Sequence, residues 1–129
     1  MPLRIELKPG EKVFIGGAVI ENGPGRTHLT VLNEVPVLRE RDILTETSAD
    51  TPCKRIYLAV QLMYMDEQHL PQHHQTYWQL VKQVLEAAPS TLELLDRMSG
   101  YILNRQYYQA LKGAKELIAY EQDLLRHAE

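Results

Sequence analysis

The residues best suited to chemistry lie at three places along the 129-residue chain. His69 and His73 have the i, i+4 spacing that can hold a metal ion on a helix. Pro71 lies between them and is expected to interrupt that helix, so we interpret the segment as a polar connection between helices and predict no metal. Cys53 stands beside Lys54, a neighbour that favours a lower thiol pKa, but no motif pairs a histidine with it. We therefore interpret Cys53 as a structural residue.

The third place is the charged run Arg39-Glu40-Arg41-Asp42, at the end of a short predicted strand. Residues two apart in a strand project from the same face, so we expect both arginine side chains on one exposed face and Glu40 on the other. Guanidinium groups on an exposed edge are suited to binding phosphate, and basic residues of the first strand and turn extend the set. The predicted phosphate-binding residues are Arg4, Lys8, Lys12, Arg39 and Arg41. On the alternative interpretation, the run is a solvated segment whose acidic residues compensate its arginines.

Composition and missing motifs exclude several classes of protein. The chain contains no GxSxG, P-loop, GxGxxG or HExxH sequence, so we predict that it is not an enzyme and has no cofactor. Hydrophobic residues make up 44% and charged residues 24%, which excludes a disordered chain. No stretch approaches the roughly 18 apolar residues of a membrane span, and the N-terminal segment has no apolar signal region. With one cysteine and no intrachain disulfide, these features predict a cytoplasmic protein.

The formal net charge of −3 is not evenly distributed. Residues 1–55 hold eight basic and eight acidic residues, whereas residues 56–129 hold six basic and nine acidic ones. Nucleic acids are bound by lysine and arginine side chains that meet phosphates. The N-terminal part is therefore the better place for a local basic surface.

The first forty residues have the patterns of short strands. Alternation of apolar and charged residues is typical of a half-buried strand, and Gly16-Gly17 predicts a bulge or tight bend. The predicted strands are Leu3–Leu7, Lys12–Ile20, Thr27–Leu32 and Val35–Leu38. Four short strands form an antiparallel meander with a small core and open edges. We therefore predict a homodimer or higher homo-oligomer formed through this part.

After Arg41 the apolar residues follow helical spacing. Thr51-Pro52 is typical of a helix start, with a capping residue followed by proline. Ser90-x-x-Glu93 has the form of a capping box at the start of a third helix. Strands followed by helices, without alternation, predict an α+β fold. The expected organisation is a β-meander over residues 1–47 and a bundle of about four helices over residues 48–129.

Several motifs of the strand-rich segment occur together in a known family. They are Pro9-Gly10-Glu11, Val13-Phe14-Ile15-Gly16 and the closing pattern Val35-x-Val37-x-Arg39-Glu40-x-x-Ile43. With these motifs, residues 3–43 resemble the CsrA family of small RNA-binding translational regulators. The resemblance implies a β dimer of two interlocked chains that reads a GGA-containing hairpin loop. It also implies that the first strand and Arg39 contact RNA, so that the phosphate-binding set becomes a predicted RNA-binding set.

Four longer stretches extend the resemblance to the whole chain, namely LRIELKPGEKVFIGGAVIENG, RERDIL, YLAVQLMY and YYQALKGAKELIAYE. In these stretches the chain is similar to the FlbT family of flagellum biosynthesis repressors. The resemblance implies a post-transcriptional repressor that associates with the 5′ untranslated region of flagellin mRNA and promotes its degradation. It also implies a functional link to FlaF, a small flagellin-related regulator.

Two functions of different classes stay open. The first is an RNA-binding repressor that contacts the flagellin leader through the N-terminal part. The second is a protein-interaction adaptor or chaperone that binds flagellin or FlaF through the helical part and affects the mRNA indirectly. All seven tyrosines and the tryptophan lie after residue 56, in the more acidic part of the chain. This distribution favours protein binding there.

Overall fold

Strand-forming and helix-forming residues separate along the sequence, and the structure separates in the same way. The structure is a computed structural model that describes residues 2–128, and it divides between Ile43 and Leu44 into unit 1 and unit 2. Within the described residues, antiparallel strands are followed by four helices, which confirms the predicted α+β class. The sequence-based boundary between residues 47 and 48 lies slightly later. No helix between residues 2 and 128 is long and apolar enough to cross a membrane.

Between residues 2 and 43, unit 1 has five strands where the sequence predicted four. They are β1 (Leu3–Leu7), β2 (Lys12–Ile15), β3 (Ala18–Glu21), β4 (Thr27–Val31) and β5 (Val37–Arg39). The additional strand arises because Gly16 and Gly17 form a two-residue hairpin turn, with φ angles of 55° and 97°. Glycine adopts positive φ without the steric penalty that a side chain brings. The tight bend predicted at this pair is therefore confirmed.

The five strands form two sheets, which a simple meander would not produce. β1 pairs with β4, and β2 pairs with both β3 and β5, so that the second sheet has the order β3-β2-β5. The first and last strands therefore do not pair with each other within the chain. Ile5 and Leu7 of β1 pack with Val13 of β2 in one buried cluster. This cluster is a small core to which both sheets contribute.

The side chain of Asn22 holds two turns of unit 1 together. Its amide nitrogen donates hydrogen bonds to the backbone oxygens of Lys8 and Gly25, each at 2.8 Å. Its amide oxygen accepts a hydrogen bond from the Thr27 hydroxyl at 2.7 Å. Lys8 follows β1 and Gly25 precedes β4, so Asn22 joins the end of β1 to the start of β4, where Leu7 pairs with Thr27.

Unit 2 contains four helices among its described residues. They are α1 (Pro52–Met65), α2 (Leu70–Ala87), α3 (Leu92–Leu103) and α4 (Tyr107–His127). α1 packs against both α2 and α4, and α3 packs against α4. α1 buries a wide apolar stripe, namely Ile56, Ala59, Val60 and Met63. α1 is therefore the central helix of unit 2.

The predicted start of α1 is confirmed, whereas the predicted start of α3 is wrong. The hydroxyl of Thr51 accepts a hydrogen bond from the backbone N–H of Lys54 at 3.1 Å, which is N-cap geometry. α3 begins only at Leu92, and no side chain caps it. The Ser90 hydroxyl instead accepts a hydrogen bond from the Tyr120 hydroxyl at 2.7 Å. The capping box fails because Ser90 itself lies in a 3-10 turn, Pro89–Thr91, directly before the helix.

Candidate nucleic-acid interface

Arg39 lies at the end of β5 and connects the two sheets of unit 1. Its Nη1 atom donates a hydrogen bond to the backbone oxygen of Glu6, in β1, at 2.9 Å. The same atom forms an ion pair with Oε2 of Glu11, between β1 and β2, at 3.4 Å. The Arg39 side chain is only 28% exposed. The expectation of a freely exposed guanidinium at this position is therefore wrong, because the fold brings two acceptors to it.

The Glu11 carboxylate is held in its charged form by several groups. The backbone N–H of Lys8 donates to Oε1 of Glu11 at 2.9 Å, and this bond is the main reason why the pKa of Glu11 is lowered. Partial burial opposes the shift, and the charges of Arg39 and Arg41 add to it. Arg39 thus has a fixed negative partner. A phosphate group would have to compete with Glu11 for the guanidinium.

Arg41 lies outside β5, in a 3-10 turn over Glu40–Asp42. Strand alternation ends at Arg39, so the argument that placed both arginines on one strand face is wrong. Arg41 is exposed and makes no side-chain hydrogen bond or ion pair with any residue between 2 and 128. Its charge nevertheless lowers the pKa of Glu11. The two arginines therefore lie near the same carboxylate, but only Arg41 is available to a ligand.

The other three predicted basic residues, Arg4, Lys8 and Lys12, are exposed. None of their side chains forms an ion pair with a described residue. The lysines extend an arginine face only where the first and last strands pair, within one chain or across a dimer. Within residues 2–43 of one chain these strands lie in different sheets. The available cations are therefore spread over β1, the turn after β1, the start of β2 and the turn after β5.

Two histidines of unit 2 converge on one carboxylate. Nε2 of His73 and Nδ1 of His69 lie 3.0 Å and 2.9 Å from the same oxygen, Oδ2 of Asp66. Both contacts lower the pKa of Asp66, and the contact with His73 has the larger effect. α2 begins between the two histidines, with Pro71 in its first turn, where proline is tolerated. Across residues 2–128, no group of three or more His, Cys, Asp or Glu side chains is arranged to hold a metal ion.

The thiol of Cys53 is buried in unit 2 at the start of α1. Burial raises the pKa of Cys53 to about 12, and the nearby charge of Glu121 adds to the shift. The activation of the thiol that Lys54 favoured is therefore absent. The Glu121 carboxylate accepts hydrogen bonds from the backbone N–H of Cys53 at 3.1 Å and from the Thr51 hydroxyl at 2.6 Å. Glu121 thus caps α1 from α4, a role that no sequence pattern indicated.

Comparison with known proteins identifies the family. The family model described as "Flagellar protein FlbT" matches residues 3–125, which includes the strands of unit 1 and nearly all of the helices of unit 2. The chain belongs to the FlbT family. The resemblance to FlbT drawn from the sequence is thereby confirmed for both units.

Several curated FlbT proteins are similar to this FlbT-family chain over nearly its full length. It is 47% identical over 125 residues to "Probable flagellum biosynthesis repressor protein FlbT 1" of Bradyrhizobium diazoefficiens, with 96% of the chain and 85% of that protein covered. It is 44% identical over 125 residues to a "Probable flagellum biosynthesis repressor protein FlbT" of Rhodopseudomonas palustris, with 97% and 98% covered. It is 36% identical over 129 residues to "Flagellum biosynthesis repressor protein FlbT" of Caulobacter vibrioides, with 98% and 92% covered. No solved structure matches the chain.

Proposed function

We propose that this FlbT-family chain is a cytoplasmic post-transcriptional repressor of flagellin synthesis. It binds the 5′ untranslated region of flagellin mRNA and promotes degradation of that mRNA, without catalysing a reaction itself and without a cofactor. Membership of the family over residues 3–125 carries the proposal, because relatives similar along the whole chain are named flagellum biosynthesis repressor proteins. The repressor works in a functional link with FlaF and as a homodimer or higher homo-oligomer.

The distribution of charge supports RNA contact through unit 1. Residues 1–43 hold six basic and six acidic residues, whereas residues 44–129 hold eight basic and eleven acidic ones. Phosphate binding requires cations that are exposed and not already paired. Four cations of unit 1 meet this requirement among the described residues, namely Arg4, Lys8, Lys12 and Arg41. Arg39 joins them if a phosphate replaces Glu11 as its partner.

The open strand edges of unit 1 support association through this unit. All four residues of β3 are exposed, and β3 is an edge of its sheet. Val19 is 73% exposed and Ile20 37%, so this edge also presents apolar side chains. Exposed edges of this kind pair readily with another strand. Light scattering on the purified protein at micromolar concentration should report a dimer or a larger oligomer, and a monomer would count against this part of the proposal.

A gel-shift assay with purified protein and the flagellin leader, without and with FlaF, tests RNA binding. Direct phosphate contact predicts a shift by the protein alone, with log affinity falling by about 0.7 per contact for each unit of log salt on single strands. A variant with Arg4→Gln and Lys12→Gln should bind less tightly. The matched control, Lys82→Gln with Arg126→Gln in unit 2, removes equal charge and should bind normally. Absence of a shift at low salt, with and without FlaF, would contradict the proposed function.

A second function, an adaptor or chaperone that binds flagellin or FlaF, is supported by exposed apolar residues of unit 2. The large ones are Trp78, Leu92, Leu103, Tyr108, Leu124 and Leu125. On this proposal the leader RNA shifts only when FlaF or flagellin is present. A variant with Leu103→Ser and Leu125→Ser should then lose the protein partner, whereas a repressor that binds RNA directly should keep its affinity for the leader.

A further inference from the structure

We propose that the outer face of the β1–β4 strand pair is a binding groove for single-stranded RNA. In this groove Arg4 binds a phosphate, and His28 and Thr30 contact the adjoining nucleotide. The inference rests on the proposed function and goes beyond it, because it names two residues of β4 that neither the charge pattern nor the family resemblance indicated.

The register of the two strands builds the groove. Arg4 of β1 lies directly opposite Thr30 of β4, and Glu6 lies opposite His28. All four residues are exposed and alternate with the buried Ile5, so their side chains project from the outer face of the pair. The depression that they line has a volume of about 520 Å³. Residues two apart on a strand are separated by about 6.8 Å, so the groove presents two successive polar rows.

Arg4 is the unpaired cation of the groove among the described residues. Arg4 makes no hydrogen bond or ion pair through its side chain with any residue between 2 and 128. Glu6, the acidic residue of the groove, is already paired with Arg26, whose Nη1 lies 2.7 Å from Oε1 of Glu6. A phosphate at Arg4 therefore meets a free guanidinium, which can donate two parallel hydrogen bonds to it.

His28 provides the exposed ring that unit 1 otherwise lacks. Between residues 2 and 43 the other aromatic side chain is Phe14, which is 8% exposed. Proteins recognise single-stranded RNA by stacking its splayed bases on aromatic rings, histidine included. Arg4 and His28 occupy diagonal positions of the strand pair, about 7 Å apart. That separation allows one nucleotide to place its phosphate at Arg4 and its base on His28.

Thr30 completes the row that contains Arg4. Its hydroxyl can donate and accept hydrogen bonds, which suits the 2′-hydroxyl of a ribose beside the bound phosphate. An acidic peptide would also pair with Arg4. Such a peptide would gain no stacking on His28, so the ring and the hydroxyl together favour RNA.

Fluorescence anisotropy with the full chain and a labelled flagellin leader RNA tests the groove. Arg4→Ala should weaken binding by about tenfold and reduce the slope of log affinity against log salt by about 0.7. His28→Ala should also weaken binding by about tenfold, with the slope unchanged, because it removes stacking. His28→Phe should restore most of the affinity. His127→Ala, at an exposed histidine of unit 2, is the matched control and should bind as the wild type does.

Two further variants test the hydroxyl and the carboxylate of the groove. Thr30→Val, which keeps the shape of the side chain, should weaken binding by about threefold. Glu6→Gln should strengthen binding severalfold, because it removes the negative charge beside the phosphate site. A gain in affinity is not the result expected from loss of the native fold, so this variant tests the groove even if another variant is unstable.

The outcomes distinguish the groove from the proposed function. If Arg4→Ala and His28→Ala bind the leader as tightly as the wild type does, the groove is not the RNA-binding site. The proposed repressor function is then unaffected. If the wild type does not bind the leader at low salt, with and without FlaF, both proposals are overturned. If polyglutamate displaces the leader as effectively as unlabelled single-stranded RNA of equal charge, the groove accepts acidic chains in general and the assignment to RNA is overturned.

Discussion

Replacing Arg39 with alanine is expected to loosen unit 1, because this side chain ties β5 to the opposite sheet. Its guanidinium donates a hydrogen bond to the backbone oxygen of Glu6 and pairs with Glu11. No backbone pairing joins β5 to β1 within residues 2–43, since β5 pairs with β2 and β1 pairs with β4. Arg39 therefore supplements a small apolar core in holding the two sheets together.

The magnitude of the loss follows from the 2.9 Å hydrogen bond between Nη1 of Arg39 and the backbone oxygen of Glu6. A hydrogen bond from a charged donor contributes about 1.5–3 kcal/mol to stability. Water can reach the carbonyl once the side chain is removed, so we expect Arg39→Ala to lower the free energy of unfolding of unit 1 by about 1 kcal/mol. A loss of that size raises the population of the opened unit about fivefold.

Hydrogen exchange followed by mass spectrometry can report on unit 1 separately from unit 2. Intrinsic fluorescence cannot, because the tryptophan and all tyrosines lie after residue 56. Amides of β1 and β5 should exchange about fivefold faster in Arg39→Ala than in the wild type. Arg41→Ala is the matched control, since it removes the same charge from an exposed turn. Arg39→Lys should give an intermediate rate, because lysine keeps the charge but not the planar fork.

Equal exchange rates in Arg39→Ala and the wild type would refute this account of Arg39. Equal acceleration in Arg39→Ala and Arg41→Ala would instead indicate an effect of net charge. The same data decide how RNA binding by the Arg39 variants is interpreted. A loss of leader affinity counts as a lost RNA contact only where the amides of unit 1 remain protected.

Four other changes test the packing and electrostatics of both units. Arg105 has a φ of 59°, in the left-handed region. This conformation costs a residue with a side chain about 1 kcal/mol relative to glycine, so Arg105→Gly should raise the thermal midpoint of unfolding. A Cβ atom at Gly113 would lie 2.8 Å from Cγ of the buried Met98. Gly113→Ala should therefore lower the free energy of unfolding, measured in urea, by about 1 kcal/mol, although alanine has a better helix propensity than glycine. Glu121→Ala should lower the free energy of unfolding by about 1–2 kcal/mol, because the backbone N–H of Cys53 at the start of α1 loses its acceptor. An unchanged urea midpoint would contradict the capping role of Glu121. Because the pKa of Glu11 is lowered below its usual 4.5, its carboxylate stabilises unit 1 above that pH and the contribution is lost as the pH falls through the folded value. Glu11→Gln should therefore flatten the pH dependence of amide exchange in β1 as the pH falls below about 4.5.

The amino-acid sequence by itself determined the class of the fold and the family. Apolar alternation in Leu3–Leu7 and helical spacing after Thr51 are local patterns, and each decides which side of its element is buried. The start of α1 was predictable for the same reason, since a capping hydroxyl acts within one helical turn. The resemblance to FlbT came from stretches spread along the chain. Each of these patterns is a continuous stretch of sequence and can be identified without knowing which distant residues meet.

Only the tertiary structure decided which distant residues meet. Strand alternation predicts on which face of a strand a side chain lies, but not which distant residues it contacts. It could not show that Arg39 donates a hydrogen bond to the backbone oxygen of Glu6, 33 positions earlier. Nor could it show that β4 pairs with β1 and brings His28 opposite Glu6, because many registers satisfy the same short apolar pattern. Whether a charged side chain is free to bind a ligand depends on the acceptors that the fold brings within reach. Those acceptors are chosen by long-range packing, which no local pattern contains.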